Sequence, residues 1–114
     1  MIAVIFEVVP HPDQRDAYLA AAAGLRAQLE AMDGFVSVER FESLTQPGKL
    51  LSLSFWRDED AVRQWRNLPD HRNVQRAGRE HIFAGYRLRV ASVLRDYGLD
   101  DRDGAPDDSR GQHG

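Results

Sequence analysis

The sequence predicts an α+β domain, an antiparallel sheet with helices on one face. Three observations carry this. Short β-branched or alternating apolar runs recur at 2–9, 35–43, 50–56 and 86–94. Between them, 13–32 and 58–82 carry apolar residues at steps of three and four. The resulting order is β-α-β-β-α-(α)-β.

The first run, IAVIFEVV, is apolar on both faces, as expected of a strand covered on both sides for most of its length. Pro10 and Pro12 end it. It has no basic segment before it and Glu7 interrupts it, so it reads as a strand and not a signal peptide. In 13–32, Tyr18, Ala22, Leu25, Leu29 and Met32 form one apolar stripe. The run Ala20 to Ala23 gives that helix a slim surface, suited to lying close on a sheet. Asp33-Gly34 supplies the stop, with glycine free to take the left-handed cap.

The run 35–43 alternates imperfectly and pairs with 50–56 across the turn Gln46-Pro47-Gly48, forming a hairpin. In the second strand Leu51, Leu53 and Phe55 point one way, and Ser52, Ser54 and Trp56 the other. Asp58 is a good N-cap, with Glu59 and Asp60 in the first turn. The helix stops at Leu68-Pro69, because proline disfavours a helical residue before it. A second helical piece runs to about Ile82, and Tyr86 leads the last strand. From Gly98 onward Asp, Gly, Pro and Ser dominate, which predicts disorder. The chain thus divides into a domain at 1–97 and an acidic tail at 98–114.

This is the split-βαβ, ferredoxin-like arrangement. Its strands show apolar residues on both faces, yet the helices can cover only one. A second copy of the sheet is the simplest cover for the other, so the expected assembly is a C2 homodimer.

The net charge of −3 lies wholly in the tail. Residues 1–94 carry 12 acidic and 12 basic side chains, and 95–114 carry six Asp against three Arg. A neutral body with an acidic tail argues against nucleic acid, which wants a basic face. No apolar run approaches the roughly 20 residues of a membrane helix. The absence of cysteine excludes disulfides, thiolate metal sites and cysteine nucleophiles, and fits a cytoplasmic protein. His71 and His81 stand ten residues apart, about 15 Å along a helix, too far to share a metal. No metal is expected.

The segment SLSFWRDEDAVRQWRNLPDHRNVQRAGREHIFAGYRLRVASVLRDY combines a strand ending in Phe-Trp, an acidic turn and a helix bearing Trp. Asn-x-Pro-x-His, a basic helix and a Tyr-led strand follow. Across about 1–97 the chain resembles the antibiotic biosynthesis monooxygenase (ABM) family. The resemblance implies a dimeric α+β barrel. It also implies one of several roles, among them cofactor-free oxidation of phenols to quinones and heme degradation. Heme-degrading members use an Asn on the first strand, a Trp on the helix and a ligating His on the next helix. Trp65 matches the Trp. Phe6-Glu7 stands at the strand position, and Gln75 falls near the histidine's place, with His71 about a turn earlier. The quinone-forming members use Asn, Trp, Tyr and Arg, for which Asn67, Trp65, Tyr86 and Arg87 or Arg66 are available.

The expected activity is therefore a monooxygenase acting on a small aromatic or quinol-like substrate without a resident cofactor. The alternatives are a non-catalytic barrel that binds an apolar ligand, and heme binding or degradation. Candidate catalytic residues are His71 as base and Tyr86 and Asn67 as donors. Trp65, Trp56, Phe55 and Arg87 are candidate pocket residues. Each has a plainer reading. Trp65 can be core and Trp56 core or interface, His71 can cap a helix, and Tyr86 can lie in an interface. Arg72, Arg76 and Arg79 share one helical face, either solvated or turned to an anionic ligand.

Overall fold

A computed structural model describes residues 1–113. Strand β1 (Ile2–Pro10) leads through a 3-10 turn (Pro12–Gln14) into α1 (Arg15–Glu30). The hairpin β2 (Phe35–Glu42) and β3 (Leu50–Trp56) follows, then α2 (Glu59–Arg66) and α3 (Pro69–Ala77). A π-helical turn (Gly78–Ile82) passes directly into β4 (Phe83–Ser92). The last strand thus begins three residues before Tyr86. A short helix α4 (Asp107–His113) lies in the acidic tail, where composition predicts disorder. Pro106 accepts from Ser109 and Arg110 at its start, and Ala105 beside it is buried.

Local signals account for the main boundaries. Asp58 caps α2, its carboxylate accepting the Ala61 amide at 2.9 Å. Gly34 adopts φ +87°, the left-handed geometry that lets the chain leave α1 for β2. Arg57 closes this corner by donating its amide to the Gly34 carbonyl at 2.7 Å and pairing with Asp33 at 3.1 Å.

The sheet has the order β2-β3-β1-β4 with every pair antiparallel. Its register defines rows across the helix-covered face. Glu42, Leu50, Val8 and Tyr86 form one row, and Arg40, Ser52, Phe6 and Leu88 the next. Val38, Ser54, Val4 and Val90 follow, and Phe35, Trp56, Ile2 and Ser92 close the face. A register shift between Phe35 and Ser37 reverses the parity of β2, which is how Phe35, Val38 and Arg40 all reach the helix side.

The core is split between the two ends of this face. At one end Val8, Tyr18, Leu50 and Ile82 pack together, with Phe6 and Phe83 against them. At the other, Leu29, Trp56, Ala61 and Val62 pack with Ile2, Val4 and Trp65. The rows between carry Ser52 and Ser54 on β3, and α1 passes above with Ala21 and Ala22. Small side chains on both floor and roof leave the middle hollow. The alanine run therefore opens a cavity where its slimness suggested close packing.

On the opposite face Ile5, Leu51, Leu53 and Phe55 stand only half-buried, and Phe41 is exposed. Glu7 in that layer meets Arg89 at 3.3 Å and Lys49 at 3.4 Å. Arg89 first, then Lys49, holds the Glu7 carboxyl below its usual range.

Candidate active site

The cavity holds about 390 Å³ between the sheet and helices α1, α2 and α3 and is open on one side. It is the size of a small-molecule site. Two aromatic groups wall its ends. On one side His71, Trp65, Trp56 and Phe35 form a chain of rings. His71 stacks on Trp65 at 4.3 Å and 26°, Trp65 lies 6.4 Å from Trp56, and Trp56 meets Phe35 edge-on at 5.4 Å. On the other, Phe6 touches Phe83, Tyr86 and Tyr18 at 5.7, 5.8 and 6.5 Å.

Pro69 starts α3 and turns His71 back over the end of α2. The imidazole Nδ1 lies 3.0 Å from the Trp65 carbonyl oxygen. A carbonyl only accepts, so this contact assigns the proton to Nδ1 and leaves the lone pair on Nε2. The longer contact from Nδ1 to the Gln75 amide, 3.4 Å, is secondary. Burial, aided by the nearby Arg72 charge and opposed by the Trp65 carbonyl, lowers the pKa of His71 below its ordinary 6.5. The ring is thus neutral at pH 7, with one nitrogen fixed and one able to take a proton.

Trp56 is 1% exposed and donates its indole N–H to the Ser54 hydroxyl at 3.0 Å. It combines core and wall. Tyr86 lines the open side from β4, where α1 to α3 leave Tyr86, Leu88 and Val90 uncovered. Trp65, Trp56, His71 and Tyr86 therefore meet at one cavity.

Three expected site residues do not reach it. Phe55 alternates with Trp56 and lies on the opposite face of the sheet. Arg87 pairs across from Glu7 and shares that face. Asn67 ends α2 outside the cavity. Its amide donates to the Arg63 carbonyl at 2.9 Å, and its oxygen accepts from Arg72 at 2.8 Å. These local bonds consume its polar groups.

Other residues enter that sequence reasoning missed. Tyr18 and Phe83 build the second aromatic wall, and Arg40 rises from the floor opposite Ser52. Of the three basic residues on one face of α3, Arg72 and Arg79 line the cavity and Arg76 does not. Among the described residues, no group of three His, Asp or Glu side chains converges to hold a metal ion. At the first-strand position, Phe6 presents a ring packed among other rings, not an amide. The ring contacts Tyr18, Phe83 and Tyr86 there, where the heme-degrading pattern expects an asparagine. Among the described residues no helix is long and apolar enough to cross a membrane.

A split-βαβ sheet with helices on one face and an apolar cavity between them defines a small ferredoxin-like α+β domain. The chain belongs to the antibiotic biosynthesis monooxygenase family, whose model matches residues 1–77. It is 47% identical over 93 residues to a jasmonate monooxygenase ABM of Pyricularia oryzae, covering 82% of this chain and 43% of that protein. It is 32% identical over 62 residues to the uncharacterized protein YqjZ of Bacillus subtilis, covering 54% of this chain and 53% of that one. The chain thus spans about half the length of these curated relatives. Rv0793 of Mycobacterium tuberculosis superposes with a TM-score of 0.75 at 26% identity, over 85% of this chain and 98% of that one.

Proposed function

We propose that this chain is a cofactor-independent monooxygenase of the ABM type that oxidises a small aromatic or quinol-like molecule in the cavity between sheet and helices. The observation that carries the reading is His71. It is a neutral imidazole with Nδ1 fixed on a carbonyl, set against Trp65 at the wall of an apolar cavity. Family membership and the jasmonate monooxygenase relative support the oxidative chemistry.

The substrate supplies the electrons. His71 removes a proton from an acidic C–H or O–H, and the desolvated anion passes an electron to O2. Recombination forms a C–O bond and, with the proton returned, a hydroperoxide. The O–O bond then breaks as water leaves, so a CH2 group and O2 become C=O and H2O. Trp65 and Trp56 provide apolar walls, and the Tyr86 hydroxyl is placed to donate to a substrate oxygen. The half-buried sheet face supports a homodimer as the working form.

Oxygen uptake with a panel of naphthols, anthrones and jasmonate tests the proposal. Turnover lost in His71→Gln and Trp65→Ala, and kept in the surface variant Arg76→Gln, is the expected pattern. Saturable binding without turnover across the panel would make the domain a non-catalytic binder. A Soret shift on hemin titration that disappears in His71→Ala would move the reading to heme.

A further inference from the structure

Every charged side chain that lines the cavity is an arginine: Arg40, Arg66, Arg72 and Arg79, with no aspartate or glutamate among the lining residues described. The body around the cavity is balanced, with 12 acidic and 12 basic side chains over residues 1–94, so the one-signed lining is not a matter of composition. The four are not equivalent. Arg66, Arg72 and Arg79 are exposed on the helices that roof the cavity. Arg72 is already engaged, donating to Gln75 at 3.0 Å and to Asn67 at 2.8 Å. Arg40 differs. It stands on the edge strand β2, half-buried at the end of the row Arg40, Ser52, Phe6, Leu88. Its Nε is fully buried without a hydrogen-bond partner, and none of the described carboxylates forms an ion pair with it.

A guanidinium beside an apolar cavity loses hydration, and that loss is made good only by an acceptor, best an anion. Among the described residues, none supplies one to Nε of Arg40. Four like charges around one low-dielectric space also concentrate positive potential there. Arginine pairs with planar carboxylates through two parallel hydrogen bonds, a geometry lysine lacks.

We propose that the cavity takes a small apolar molecule that carries an acidic group, a carboxylate foremost, with the acid at Arg40 and the apolar body between the Trp65 and Phe6 walls. The proposal rests on the reading above that this cavity is the ligand site. It adds that one end of the ligand is ionised and that Arg40 orients the other end toward His71.

The test is calorimetric titration of the full chain with two probes of one shape, 2-naphthoate and its neutral analogue 2-naphthamide. The wild type is expected to bind the acid at least about tenfold more tightly than the amide. Arg40→Met should remove that preference and leave amide affinity unchanged, and Arg40→Lys should restore part of it. Arg76→Met, outside the cavity, should change nothing. Equal affinity for acid and amide in the wild type overturns the proposal, as does no binding of either. An equal loss of both in a folded Arg40→Met also overturns it. The wild-type comparison decides even if that variant fails to fold. Acid preference without oxygen uptake would defeat the monooxygenase reading and leave this one standing. Turnover of neutral substrates without acid preference would do the reverse.

Discussion

The imidazole of His71 lies flat on the indole of Trp65 at 4.3 Å, and its Nδ1 meets the carbonyl oxygen of that same residue at 3.0 Å. One residue thus sets the ring's plane, its rotation and its tautomer. His71→Gln, which cannot act as a base, should lower kcat by about 10²–10⁴-fold with a much smaller effect on binding. Single-turnover and steady-state oxygen uptake separate the two effects. Because the folded pKa of His71 lies below 6.5, the acid limb of kcat/KM should fall below that pH.

The same shift fixes the sign of a stability effect. The unfolded chain protonates its histidine at the ordinary 6.5, while the folded chain resists until lower pH. Between those values the unfolded state binds more protons, so stability falls as pH drops and is flat above. Urea midpoints of the wild type and His71→Gln, compared between about pH 7.5 and pH 5, should show a steeper acid loss in the wild type. Parallel curves would place the pH dependence elsewhere.

The hollow between the two core clusters depends on small residues. Ala22→Leu should fill it from the α1 side. Thermal stability should hold or rise, because apolar volume enters a void without disturbing a hydrogen bond. Binding of 2-naphthoate should disappear. A variant that keeps its affinity would mean that the ligand sits elsewhere.

The order of elements along the chain and most helix boundaries were legible because each rests on a local rule. Alternation assigns the two faces of β3, Asp58 caps α2, and Gly34 takes the positive φ that ends the α1 corner. Trp65, Trp56, His71 and Tyr86 line one cavity, and the sequence singles them out because few aromatic and imidazole side chains lie in that stretch. Phe55 lies on the other face by its alternation with Trp56, and Arg87 lies there because it stands opposite Glu7. Asn67 turned inward to its own helix end. Arg40 was hidden for a different reason. The bulge at the start of β2 shifts the strand's phase, so a simple alternation from Phe35 assigns it to the wrong face. The available signal was Ser52 and Ser54 on an inward face opposite an alanine-rich helix, small side chains where a filled core needs large ones.

The uncovered face of the sheet calls for its own partner. Leu53 stands opposite Ile5 near its centre, with Leu51 and Phe55 on either side along β3. If two copies pair through this face, the wild type sediments at twice the monomer mass. Leu53→Glu would then bury a charge without a partner and should shift the equilibrium to monomer. Sedimentation equilibrium across a dilution series reads both. A wild-type monomer at all concentrations would end the dimer proposal.

Gly78 and Phe83 offer a test of how the second aromatic wall is held. A Cβ at Gly78 would come within 2.5 Å of the Phe83 ring. That ring is fixed in turn by Phe6 at 5.7 Å, Tyr18 at 5.9 Å and Tyr86 at 5.9 Å. The backbone there is ordinary helix, φ −58°, so alanine meets no conformational penalty. By propensity alone Gly78→Ala should stabilise by up to about 1 kcal/mol. Overpacking against a ring that cannot retreat costs about 1–3 kcal/mol and should win. The net effect is therefore a loss of stability of about 0–3 kcal/mol in urea unfolding. Phe83→Leu opens the space, so alanine at 78 should be neutral or stabilising in that background. The sign change between the two backgrounds, read as a double-mutant cycle, distinguishes a clash from a general weakness of the π turn. If Gly78→Ala destabilises equally in both, the glycine serves the turn itself and Phe83 is free to move.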